Sequence, residues 1–224
     1  MHHPPRLLVI DPSVIFPEEE GVRTVVGDWP GEVGVMRPAL DGSPLPPSSL
    51  ADCAGVILMG SAASVHDDRP WLKELSTFLT PVLRGQLPVA LLGICFGHQM
   101  IGHLLGAQVG FVHHDHHRES GLRSTRIEGS HLIDGERELS IMASHMEHLL
   151  ELPLGCRRTA HRQSVPFDAI EHEDLPIFGV QFHPEARHSF AIRRNVDISH
   201  ITEQYLESMD ALLGRFRRIA LGLH

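Results

Sequence analysis

Four short apolar runs recur along the chain at strand length: Leu7–Ile10, Val56–Met59, Pro88–Ile94 and Ile177–Phe182. Apolar runs of this kind, broken only by Gln181 in the last, predict strands buried on both faces, as in a parallel sheet covered by helices. The first ends at Asp11-Pro12, and the second runs into the small-residue loop Gly60–Ser64. The third passes through Gly93-Ile94-Cys95-Phe96-Gly97, and the fourth ends at His183-Pro184-Glu185. Between these runs the apolar period changes to that of a helix. Leu72, Leu75, Phe78, Leu79 and Val82 predict one helix, opened by Asp68 as an acidic cap and by Pro70 in the first turn. Met100, Ile101, Leu104 and Leu105 predict a second, with Gly106 near its end. Leu206, Met209, Leu212, Leu213 and Phe216 predict a long amphipathic helix over 201–221. Residues 41–49 form a turn-rich loop, 109–152 short strands and turns, and 16–30 no definite element. The alternation predicts an α/β fold of three layers with a mainly parallel central sheet. No repeat or boundary divides it. Residues 1–224 form one domain, with 189–224 as a C-terminal helical extension.

Composition narrows the class. Hydrophobic residues make up 42% and aromatics only 5%, so Leu, Val, Ile and Ala must build the core. No run approaches the roughly 20 apolar residues of a membrane span, and the first is too short for a signal peptide. A net charge of −9 disfavours a broad nucleic-acid surface. Cys53, Cys95 and Cys156 are too few and too scattered for a disulfide framework, which points to a reducing cytoplasm.

Cys95 lies where an apolar strand hands over to a helix, flanked by Gly93 and Gly97. Such an elbow strains its nucleophile and sets the sulfur at a helix N-terminus, where the dipole favours a thiolate. A buried structural cysteine is the plain alternative. His183 and Glu185 are two apart at a strand end, so both point to one face. The carboxylate can orient the imidazole that takes the thiol proton.

Gly93–Gln99 resembles the nucleophile motif of class I glutamine amidotransferases, and Gly179–Glu185 resembles their His/Glu motif. The resemblance runs from about Leu7 to Glu185 and is closest to the amidotransferase domain of GMP synthase. It implies the family's three-layer, flavodoxin-like fold. It also implies a Cys95–His183–Glu185 triad that forms a γ-glutamyl thioester from glutamine and releases ammonia, with no cofactor. Further implied are an oxyanion hole from the backbone of Phe96 and Ser61, and glutamine binding by Gly60, Gln99, Ser144, His145 and Met146. Two positions depart from the family pattern. Ser61-Ala62 replace a Gly and a Pro, and a positive φ at Ser61 would cost roughly 1–2 kcal/mol, suggesting a hole completed only on activation. Met146 replaces a Gly, which reshapes the pocket. No Walker-type phosphate loop is present, so an ammonia-accepting synthase would be a separate chain.

Two alternatives stay open beside the glutaminase: a hydrolase of γ-glutamyl amides or related small amides, and a non-catalytic regulatory module on the same fold. An α/β-hydrolase is disfavoured because its acid precedes its histidine in the chain. The run His113-His114-Asp115-His116-His117 predicts a solvated loop with no metal, since adjacent ligands rarely close a tetrahedral site. Glu119 and Gly121 resemble a family element packed near the active site. Cys53 and Cys156 are expected in the core, and Arg215, Arg217 and Arg218 on a solvated helix face.

Overall fold

A computed structural model describes residues 4–197, 199 and 201–223. The central sheet has nine strands in the order β2-β1-β3-β4-β11-β10-β9-β6-β7. Its parallel half comprises β2 (Glu32–Met36), β1 (Arg6–Ile10), β3 (Cys53–Leu58), β4 (Ala90–Ile94) and β11 (Ile177–Val180). The other half is antiparallel: β10 (Val165–His172), β9 (Cys156–Arg162), β6 (Glu119–Ile127) and β7 (Arg137–His145). A separate two-stranded ribbon pairs β5 (Val109–Phe111) with β8 (Glu147–Leu149).

Each face of the sheet buries its own core, because side chains alternate across a strand. Ile57, Leu92 and Ile94 face a layer containing α1 (Glu19–Val26), the short α4 (His188–Arg193) and α5 (Glu203–Ala220). Val56, Leu58 and Leu91 face α2 (Pro70–Leu83) and α3 (Phe96–Leu104). Helix α5 buries Met209, Leu212, Leu213 and Phe216, as its period predicts. It also buries Tyr205, and Thr202 caps it by accepting the Tyr205 N–H at 3.2 Å.

Several expectations need correction. Asp68 does not cap α2: Arg69 holds the cap position, and the Asp68 carboxylate pairs with Lys73 at 2.7 Å instead. Residues 16–30 do contain an element, α1, whose two buried valines, Val22 and Val25, are too few to show a period. The 109–152 region holds the long hairpin β6–β7 rather than only short strands. Its polar positions hide the pattern, since Arg123, Ser124 and Arg126 lie on one strand. Arg215 and Arg217 are not free on a solvated face: they pair with Asp134 at 2.7 Å and Asp28 at 3.2 Å, fastening α5 to the body. Cys53 and Cys156 are buried, as expected.

The histidine run is an exposed loop in which His113 stacks on His117 and His116 on Phe111, each at 3.7 Å. Among the described residues, no three His, Cys, Asp or Glu side chains converge as metal ligands. No helix among them is long and apolar enough to cross a membrane.

Candidate active site

The elbow at Cys95 is built by backbones approaching without side chains between them. A Cβ on Gly97 would lie 2.1 Å from the Leu58 carbonyl oxygen, and one on Gly93 would lie 2.5 Å from the Gly97 carbonyl. Strands β3 and β4 and helix α3 therefore touch directly only because both positions are glycine. Cys95 itself has φ 51° and ψ −102°, a conformation that costs a non-glycine residue about 1–3 kcal/mol. Its N–H donates to the Val180 carbonyl at 2.8 Å, which holds the strained residue in register with β11. The sulfur thus sits at the N-terminus of α3. The backbone N–H groups of Phe96 and Ser61 make no hydrogen bond among the described residues, so both remain available.

Ser61 is not among the residues with positive φ, so the strain foreseen for a serine there does not arise. Its hydroxyl donates to the Pro12 carbonyl at 2.7 Å and accepts the Ala63 N–H at 3.1 Å. These bonds fix the loop against the segment after β1.

His183 and Glu185 follow the end of β11. The His183 N–H donates to the Met142 carbonyl at 2.9 Å, and its own carbonyl accepts the Tyr205 hydroxyl at 3.2 Å. The ring is thereby anchored from β7 and from α5. Its Nδ1 lies 2.8 Å from Glu185 Oε1, with both side chains buried. Gly60 completes the arrangement: a Cβ there would be 3.0 Å from His183 Cε1 and 3.6 Å from Cys95 Cβ. Burial disfavours a charged His183 ring, but the Glu185 carboxylate and then the Cys95 sulfur outweigh it and raise the pKa to about 10. Glu185→Gln should therefore lower the pH at which the imidazolium is lost by at least about one unit. A pH profile of Cys95 alkylation reads this, and an unmoved alkaline limb would contradict the assigned pairing.

The segment 144–147 closes the other side. Gln99 Nε2 donates to the Glu147 carbonyl at 2.6 Å and to Gln181 Oε1 at 3.2 Å. Gln181 Nε2 in turn reaches Cys95 Sγ at 3.7 Å. His145 Nδ1 also meets the Glu147 carbonyl, at 3.0 Å, and Arg162 Nη2 lies 2.9 Å from His145 Nε2. Since arginine can only donate, Nε2 accepts and Nδ1 carries the proton. Gln99 and His145 thus use polar atoms to shape the segment itself. Ser144 is buried, with its hydroxyl unpartnered among the described residues.

Two cavities flank the centre. One of about 220 Å³ is lined by Cys95, Gln99, Ser144, His145 and Met146. The other, of about 290 Å³, lies against His183, Glu185, Met59 and Gly60. Ser61, Ala62 and Ser144 line both. All ten predicted site residues fall at the elbow or along these cavities.

Glu147, the last residue of the segment 144–147 that the family resemblance assigns to glutamine binding, lines the first cavity, whereas sequence reasoning missed Arg118 and Asp67 there. Arg118 donates to the Ser144 carbonyl at 3.1 Å, and burial, then the nearby Arg194 guanidinium, lower its pKa. Its place before Glu119 was the available signal. Glu119 is buried 3.6 Å from Arg162 and so packs behind the site.

The chain resembles known proteins in sequence and in fold. The profile of the family described as "Glutamine amidotransferase class-I" matches residues 43–196. The glutamine-hydrolyzing GMP synthase of Wolinella succinogenes is 34% identical over 138 residues, covering 60% of this chain and 25% of that protein. A subunit of the glutamine-hydrolyzing GMP synthase of Archaeoglobus fulgidus is 37% identical over 105 residues, covering 46% of this chain and 56% of that one. The alignments therefore span a quarter to just over half of these relatives' lengths. Among solved structures, a glutamine amidotransferase from Thermotoga maritima superposes with a TM-score of 0.78 at 19% identity, covering 98% of this chain and 99% of that one. One from Methylobacillus flagellatus gives 0.78 at 18% identity, covering 100% and 96%. With the family profile spanning more than half of its length, over the elbow and the His183–Glu185 pair alike, the chain belongs to the class I glutamine amidotransferase family.

Proposed function

We propose that this chain hydrolyses the side-chain amide of glutamine through a thioester on Cys95. The observation that carries this reading is the strained Cys95 beside Gly60, with the His183–Glu185 pair on one side and two unused backbone donors, Phe96 and Ser61, nearby. Glu185 holds His183 with its proton on Nδ1, leaving Nε2 to take the Cys95 proton. The thiolate attacks the amide carbon, and the Phe96 and Ser61 N–H groups receive the developing oxyanion. Nε2 returns the proton to the departing nitrogen. Water then enters by the same base and releases glutamate.

The 220 Å³ cavity suits the glutamyl portion. Asp67 and Glu147 offer carboxylates to an α-ammonium, and Arg118 a guanidinium to an α-carboxylate. Gly60, Gln99, Ser144, His145 and Met146 shape its walls. Ammonia would pass to an acceptor synthase on another chain, a reading supported by the relatives whose names make them single subunits of a GMP synthase. Three free cysteines suit a reducing cytoplasm. A glutamine-like electrophile should label Cys95 and no other cysteine, read by peptide mass. Absence of label on the folded chain would reject the glutaminase reading.

A further inference from the structure

We propose that the 290 Å³ cavity beside His183 is a leaving-group subsite for an amine bearing a carboxylate, so that γ-glutamyl amides of amino acids are substrates as well as glutamine. This rests on the thioester reading above. In that chemistry the glutamyl carbon stays on the sulfur, while the nitrogen takes its proton from His183. Cys95 lines one cavity and His183 the other, with Ser61, Ala62 and Ser144 as common rim. The departing amine therefore leaves into the second cavity.

Ammonia does not need such a space. A water-sized molecule occupies about 30 Å³, roughly a tenth of this cavity. Val14, Met59 and Phe190 give it an apolar wall suited to methylene groups. The loop carrying Val14 is held by the buried Asp11, whose carboxylate accepts the Ser13 and Glu18 N–H groups at 3.2 and 3.0 Å. The wall is thus a fixed part of the fold.

Charge selects the chemistry of the guest. Arg193 and Glu18 both line the cavity and neutralise each other in an ion pair. Arg194 lines it too, its guanidinium 5.7 Å from the centre of the Phe190 ring; it feels the Glu18 carboxylate, which already pairs with Arg193, but forms no ion pair itself among the described residues. Arg118, at the mouth of the first cavity, likewise has none among them. Two guanidiniums without an ion pair among the described residues thus line the cavities of a chain whose net charge is −9. A γ-glutamyl amino acid presents two carboxylates, one at each end of the scissile amide. The amide C–N bond breaks as the S–C bond forms, the His183 proton goes to nitrogen, and the free amino acid leaves. Water then cleaves the thioester to glutamate.

The test compares glutamine, γ-glutamyl-β-alanine and the neutral γ-glutamylbutylamide on the purified full chain. Amine release gives kcat/KM, and calorimetry on the Cys95→Ala chain gives affinity independently of turnover. We expect the β-alanine amide to exceed the butylamide at least about 10-fold in both. That preference should fall to below about 2-fold in Arg194→Gln and return in part in Arg194→Lys. Hydrolysis of glutamine without either substituted amide, or a preference unchanged in Arg194→Gln, overturns the subsite and leaves the glutaminase standing. Failure of all three amides to react or to bind would overturn both.

Discussion

Replacing Cys95 with alanine should reduce amide hydrolysis at least about 100-fold while the chain keeps its fold, because a thioester route has no second nucleophile. Cys53 and Cys156 cannot substitute. Both are buried, and burial first, with Glu173 nearby, pushes the Cys156 pKa up to about 11. His183→Ala should be comparably severe. The ring is the group that can take and return the proton, and its buried Nε2 has no hydrogen-bond partner among the described residues. Because the two act as a unit, the double variant should be little worse than either single one. Steady-state amide release on the three purified variants checks this. Residual activity above about a hundredth of wild type in Cys95→Ala would reject Cys95 as the nucleophile, and losses that multiply would show that the two side chains do not cooperate.

Gly97→Ala should unfold or severely destabilise the protein, although alanine is the better helix former by about 1 kcal/mol. The added Cβ would meet the Leu58 carbonyl oxygen at 2.1 Å, a contact with backbone of β3 that no rotamer change relieves. Relief requires α3 to lift from the sheet, opening the core around Leu58, Phe96 and Ile101. A cost of about 3 kcal/mol or more follows. Gly42→Ala provides the contrast. Gly42 has φ +68° with nothing within 4 Å of a Cβ, so only backbone strain of about 1–2 kcal/mol is expected. Urea unfolding of both variants separates space from strain. Equal midpoints would mean that the elbow tolerates a methyl group.

The sequence carried the parallel half of the fold and the chemical centre within local patterns. Strands buried on both faces must be apolar throughout, so β1, β3, β4 and β11 stand out as unbroken runs. The Gly-x-Cys-x-Gly elbow and the His-Pro-Glu strand end are equally local, because strain and close backbone approach restrict residue type at the spot itself. Edge strand β2 left little trace, since its outer face is solvated and Val33 and Val35 are partly exposed. The hairpin β6–β7 and the pair β9–β10 were illegible because polar residues break the apolar pattern: Arg123, Ser124 and Arg126 on β6, and the buried Ser144, His145, Thr159, Asp168 and Glu171 on the other three.

What only the tertiary structure decided is how distant groups meet. The link from Gln99 through Gln181 to the Cys95 sulfur joins α3 to the end of β11, and no spacing along the chain encodes it. The conformation of Ser61 was set by its hydroxyl bond to Pro12, 49 residues away, which turns a foreseen strain into an ordinary turn. The unpaired states of Arg118 and Arg194 likewise depend on which carboxylates the fold brings near. Residue types at one point of the chain can declare a nucleophile, because its strain is local. The shape and charge of the space around it come from packing, where a neighbour in space has no fixed distance in sequence.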